Sequence, residues 1–179
     1  REAEELEKEV KKVVDDSKKR LDELDEENRR VDETIKKISE DLTREVKDVI
    51  RRIRDGNLRE DEVRKVVKEV TDKLEDSNRR VEELIRRTEK KLRDALERSK
   101  ELSREVLEKA RKLLEDKKDL EELRELVERL RRRLETVNRE LERRVRELKR
   151  SNDESHRENR EVIEELIKEL KKVLDDVRK

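Results

Sequence analysis

The chain has 179 residues, of which 54 are Lys or Arg and 54 are Asp or Glu, so 60% of its side chains are charged and the formal net charge is zero. Hydrophobic residues make up 28% and are almost all Leu, Val and Ile, with alanine only at Ala3, Ala95 and Ala110; Cys, Phe, Met, Pro, Gln, Trp and Tyr do not occur. These figures exclude disulfides and thiol chemistry, leave no run of about 18 apolar residues for a membrane span, and give residues 1–15 no apolar core of a secretory signal.

So polar a composition would suit a disordered chain, because too little apolar surface is available to offset the entropy of folding. Periodicity decides otherwise. From the start the apolar positions run Ala3, Leu6, Val10, Val13, Leu21, Leu24, Val31, Ile35, Ile38, Leu42, Val46, Val49 and Ile53, in steps dominated by three and four. With Ser17 and Asn28 filling the stripe, fourteen steps carry it 50 residues, an average near 3.57, between the coiled-coil repeat of 3.5 and the straight-helix value of 3.6. A first helix is predicted over about 2–54, nearly straight and rich in the good helix formers Glu, Lys, Arg and Leu.

Gly56, the only glycine, is suited to the left-handed conformation that closes a helix. Asn57, followed three residues later by Glu60, reads as an N-cap and capping box for a second helix over about 58–115. At Glu115-Asp116-Lys117-Lys118-Asp119-Leu120 the stripe lapses, and Asp119 with Glu122 can cap a third helix over about 119–178. Three pieces of similar length, each roughly 80–90 Å at 1.5 Å per residue, joined by short connections, favour one all-α, elongated, antiparallel up-down-up three-helix bundle over 1–179 with coiled-coil-like packing.

Polar residues that interrupt the stripes support this folding-back. About a turn at Gly56, facing residues of the first two helices have numbers totalling near 116, which pairs Ser17 with Ser99, Asn28 with Thr88, and Ser39 with Ser77. About the second turn, Ser99 with Asn138 and Asn78 with Asn159 each total 237. Three polar layers are therefore expected: Ser17/Ser99/Asn138, Asn28/Thr88/Asn152 and Ser39/Asn78/Asn159. The middle one is approximate, since Thr88 points to position 149 and the nearest small polar residues are Ser151 and Asn152. A satisfied buried amide penalises registers and oligomers that leave it unpaired.

The restricted alphabet, the Leu/Val/Ile core, the interspersed Glu, Lys and Arg, the box at Asn57 and the matched layers together resemble computationally designed helical bundles with buried hydrogen-bond networks. The resemblance covers the whole chain and rests on style, not on one motif. It implies that no evolved biochemical function need exist.

The chemistry-bearing residues agree. His156, the only histidine, lies beside Ser155 and three residues after Asp153, but neighbours on a helix point about 100° apart and nothing supplies an oxyanion hole, so no catalytic site is expected. Nor is a metal or other cofactor, because one imidazole with Glu154 or Glu158 coordinates weakly. No apolar residue stands between Leu148 and Val162, so this segment, His156 included, is either an extended network opposite Asn28, Thr34 and Asn78 or a local weak spot. Burial of His156 there would make the bundle acid-sensitive. Arg51-Arg52, Arg131-Arg132-Arg133 and Arg143-Arg144 are interleaved with acids and lack aromatics, so neither nucleic acid nor a membrane surface is an expected partner. Two readings remain: a monomeric structural scaffold needing no partner, a rigid helical rod, or a helical interaction module that forms a homo- or hetero-oligomer.

Overall fold

The computed structural model describes residues 2–116 and 121–178. Three helices, α1 (Glu2–Arg54), α2 (Glu60–Asp116) and α3 (Glu121–Arg178), pack against one another as a three-helix bundle, and the described residues contain no strand. None of the helices is long and apolar enough to cross a membrane.

The first turn is built from backbone chemistry. The amide of Asp55 donates to the Arg51 carbonyl at 3.0 Å and that of Gly56 to Ile53 at 3.2 Å, while Gly56 takes φ 76°. The basic last turn, Arg51, Arg52 and Arg54, suits the negative end of the α1 dipole. At the start of α2 the expectation needs correction. Val63 donates to the Arg59 carbonyl at 2.9 Å, so Arg59 and not Asn57 is the first helical acceptor, and the helix begins at Glu60, two residues later than predicted. The reason is apolar: Leu58 stands just before the cap and Val63 on the first full turn, and both belong to one hydrophobic cluster, the arrangement of a hydrophobic staple. Glu60, Asp61 and Glu62 then place negative charge at the positive end of the α2 dipole. The expected cap at Asp119 lies outside the described residues.

The chain divides into two compact units. Unit 1 comprises Arg1–Glu27 with Thr88–Lys149. Its core has two clusters, one gathered from Leu6, Val10, Val13 and Val14 with Val106, Ala110 and five α3 residues, the other from Leu24, Leu92, Ala95, Leu141, Val145 and Leu148. Unit 2 comprises Asn28–Arg87 with Arg150–Lys179. Its larger cluster joins Leu42–Ile53, Val63–Leu74 and Ile163–Val173 across all three helices, but its smaller one, Ile35, Val81 and Ile85, contains no α3 residue. The cause is the stretch between Leu148 and Val162, which offers α1 and α2 no apolar partner.

Register is uniform. Interhelical ion pairs Glu9–Lys109 (3.1 Å) and Glu27–Lys91 (3.9 Å) in unit 1 and Glu45–Lys73 (2.8 Å) in unit 2 all total 118 in residue number, as an antiparallel α1–α2 pair requires. Their spacing of 18 residues is five turns at 3.6 residues each, the period of a straight helix. Between α1 and α3 the offset is nearly constant instead: 119 for Asp25–Arg144 and Asp32–Ser151, and 120 for Ser39–Asn159, so these helices run parallel.

Candidate functional site

The features that distinguish this bundle from a uniform apolar core are its buried polar side chains, and these differ between the two units. In unit 1, Ser17 and Ser99 lie with their hydroxyl oxygens 2.9 Å apart, Ser99 donates to Asn138 Oδ1 at 2.7 Å, and Asn138 Nδ2 donates to Ser103 Oγ at 3.0 Å. Ser103 in turn donates to the Ser99 carbonyl at 2.8 Å. Each hydroxyl has a single hydrogen. Because that of Ser99 is committed to Asn138, Ser17 must be the donor to Ser99, and the set becomes one directed chain from α1 through α2 to α3 and back. Ser17, Ser99 and Ser103 are buried and Asn138 half-buried, so the network lies in a weakly screened environment where satisfied bonds are strong and unsatisfied ones costly. Ser103 is absent from the expected layer, although it lies one turn from Ser99 on the same face.

In unit 2 the pattern is looser. Asn159, fully buried, donates through Nδ2 to Ser39 Oγ at 2.7 Å. Asn78 does not join them: its Nδ2 donates to Glu82 Oε1 at 3.3 Å, one turn along α2. Ser77 is half-buried. For the middle set, Thr88 belongs to unit 1 and is buried, whereas Asn28 and Asn152 belong to unit 2 at 3% and 0% exposure. Asn28 Oδ1, Asn78 Oδ1, Asn159 Oδ1 and both amide atoms of Asn152 are buried without a hydrogen-bond partner among the described residues.

The polar stretch of α3 meets α1 through a residue that sequence reasoning did not single out. Ser151 and Ser155, one turn apart, each donate to a different oxygen of the Asp32 carboxylate at 2.8 Å. Thr34, the expected partner, is exposed. On the α2 side, His156 Nε2 stands 3.6 Å from Glu82 Oε1 and makes no hydrogen bond. Nothing in the sequence marks Asp32 or Glu82 as inward-turned, because acidic residues occur on every face.

The arginine runs are engaged within the bundle. Arg144 donates to Glu147 Oε2 at 2.7 Å and to Asp25 Oδ1 at 2.8 Å, and these two bonds, the Glu147 one foremost, hold its guanidinium more firmly protonated than usual. Arg131 pairs with Glu128 at 2.6 Å and Glu135 at 3.4 Å. Its hydrogen bond, ahead of the opposing effect of desolvation, keeps the Glu128 carboxyl below the ordinary carboxylate range. Among the described residues no group of three or more His, Asp or Glu side chains converges as a metal site.

No protein-family model and no curated protein matches the chain. Among solved structures it is similar to one described as a computationally designed three-helix bundle, with a TM-score of 0.61 and 16% sequence identity, over 98% of this chain and 87% of that one. That likeness joins the helix order and packing above in one conclusion: the chain has the three-helix bundle fold.

Proposed function

We propose that the chain is a designed structural scaffold, monomeric and without an evolved biochemical activity, in which buried polar contacts select one helix register. The observation that carries this reading is the hydrogen-bond chain Ser17–Ser99–Asn138–Ser103, which links one level of all three helices through side chains paired with one another. A self-contained surface supports it further: among the described residues every Leu, Val, Ile and Ala is buried or half-buried. Specific interfaces ordinarily bury apolar anchors at their centres. The likeness to a designed bundle and the restricted residue alphabet suit an artificial origin. Catalysis has no support in the geometry, since Ser155 donates its hydroxyl hydrogen to Asp32 and His156 Nε2 makes no hydrogen bond.

Sedimentation equilibrium with interference optics, which needs no aromatic absorbance, tests the proposal. A single species at 21.9 kDa across a concentration series is expected. A multiple of that mass would overturn it in favour of an assembly module built from copies of this chain.

A further inference from the structure

The α1–α2 seam of unit 1 departs from its own charge pattern at one level. Glu9–Lys109 and Glu27–Lys91 pair acid with base across it, and each pair totals 118 in residue number. Arg20 and Arg98 also total 118, yet both are cations. Arg20 stands 11 residues after Glu9 and 7 before Glu27, and Arg98 stands 11 before Lys109 and 7 after Lys91. These steps are close to three and two helical turns, so both arginines lie on the edge that the ion pairs occupy. Like charges placed there repel where the neighbouring pairs attract. Arg20 Nη1 donates to Glu23 Oε2 at 3.2 Å on its own helix, and Arg98 has no ion-pair partner among the described residues.

At this level the seam also opens. A groove of about 500 Å³, a size ordinary for small-molecule sites, is lined by both arginines. Its deep side is apolar, with Ala95 and Leu141 buried and Leu102 half-buried. Ser17 and Ser99 reach it too, but their hydroxyl hydrogens are spent within the network, which leaves the guanidinium N–H groups as its strong donors. All of these residues belong to unit 1. We infer that the groove binds a small amphiphilic anion, an apolar body carrying a single sulfonate or carboxylate. The head group receives charge-assisted hydrogen bonds from Arg20 and Arg98 and screens them from each other, while the body covers Ala95, Leu102 and Leu141. Asp16 and Asp94, each four residues before one of the arginines, line the same groove and bring its charge to zero. They set a limit on the ligand: one negative charge seated between the arginines is favoured, and a polyanion, whose further charges would meet the two carboxylates, is not.

The experiment titrates anilinonaphthalene sulfonate into the full chain at neutral pH and low salt and follows the dye's emission, against which a chain without aromatic residues contributes no background. Saturation at one dye per chain is expected, with phenylnaphthylamine, the same apolar body without the sulfonate, binding about tenfold more weakly. Arg20→Gln and Arg98→Gln should each weaken the sulfonate about threefold or more and the double variant about tenfold. Asp16→Asn should tighten it about twofold, because the opposing carboxylate is gone. Both arginines project from helix surfaces, and circular dichroism checks that each variant keeps the parent's helicity. Arg133→Gln, in a separate groove with Lys8 and Lys11 between α1 and α3, should bind as the parent does and so separates this site from general attraction to cationic helices. Emission that does not saturate, equal affinity for the uncharged dye, or a loss in Arg133→Gln as large as in Arg98→Gln would each overturn the inference.

Discussion

Asn152→Leu separates a working polar layer from a costly one. Asn152 is completely buried, and neither its Oδ1 nor its Nδ2 has a partner. An unsatisfied buried polar group costs about 1–3 kcal/mol, and a leucine, equally branched though larger, adds favourable apolar burial in the stretch of α3 that has no apolar residue between Leu148 and Val162. Allowing for imperfect fit of the branched side chain, the variant should be about 2–4 kcal/mol more stable than the parent. The control is Asn138→Leu. It strands the Ser99 hydroxyl hydrogen and removes the donor to Ser103, both in buried surroundings, and should lower stability by about 1–3 kcal/mol. Guanidinium unfolding followed by far-ultraviolet circular dichroism reports both, because the chain has no aromatic reporter. Midpoints should move in opposite directions at constant slope. An Asn152→Leu midpoint equal to or below that of the parent would refute the reasoning, since the amide would then be contributing to stability.

Other perturbations address the turn, the register and acid. Gly56→Ala should cost about 1–2 kcal/mol from backbone strain alone, because φ is 76° and an added Cβ would meet nothing within 4 Å; Gly56→Asn should cost less, as the same denaturation experiment would show. Reversing Glu9, Glu27 and Glu45 to lysine should destabilise the bundle by repulsion against Lys109, Lys91 and Lys73, and reversing those lysines to glutamate as well should restore most of the loss, with both effects shrinking in high salt. The Glu128 carboxyl titrates below its ordinary value, so its pairing contributes above the unfolded-state pKa and is lost as pH falls through the lower folded one; Arg131→Gln should move its carboxyl carbon resonance midpoint upward. An unmoved midpoint would show that Arg131 is not the cause.

Helices were legible here because periodicity survives even where most residues are charged: the same three- and four-residue steps that run from Leu6 to Ile53 line the interior of α1. Gly56 was legible as the only residue that takes positive φ without strain. The start of α2 was not, because two signals competed. Asn57 offers a side-chain acceptor, but burying Leu58 beside Val63 draws the cap to Arg59. Numbering symmetry located Ser17, Ser99 and Asn138, whose bonds cross between helices. It could not foresee that Asn78 would turn to Glu82 on its own helix, a partner that needs no interhelical alignment. Nor could it identify Asp32, since no pattern separates one inward carboxylate from the other 53 acidic residues.

The two spacings along α1 and α2 act together as a vernier. Ion pairs recur every 18 residues, so sliding α2 by that distance would still align Glu27 with Lys109 and Glu45 with Lys91. By residue number the polar positions 17, 28 and 39 pair with 99, 88 and 77 at intervals of 11, and a slide of 11 would again match polar positions in the sequence while separating every ion pair. Neither scale alone forbids slippage. Because 11 and 18 share no common factor, no shift within the length of these helices satisfies both, and two individually ambiguous rulers yield one readable alignment.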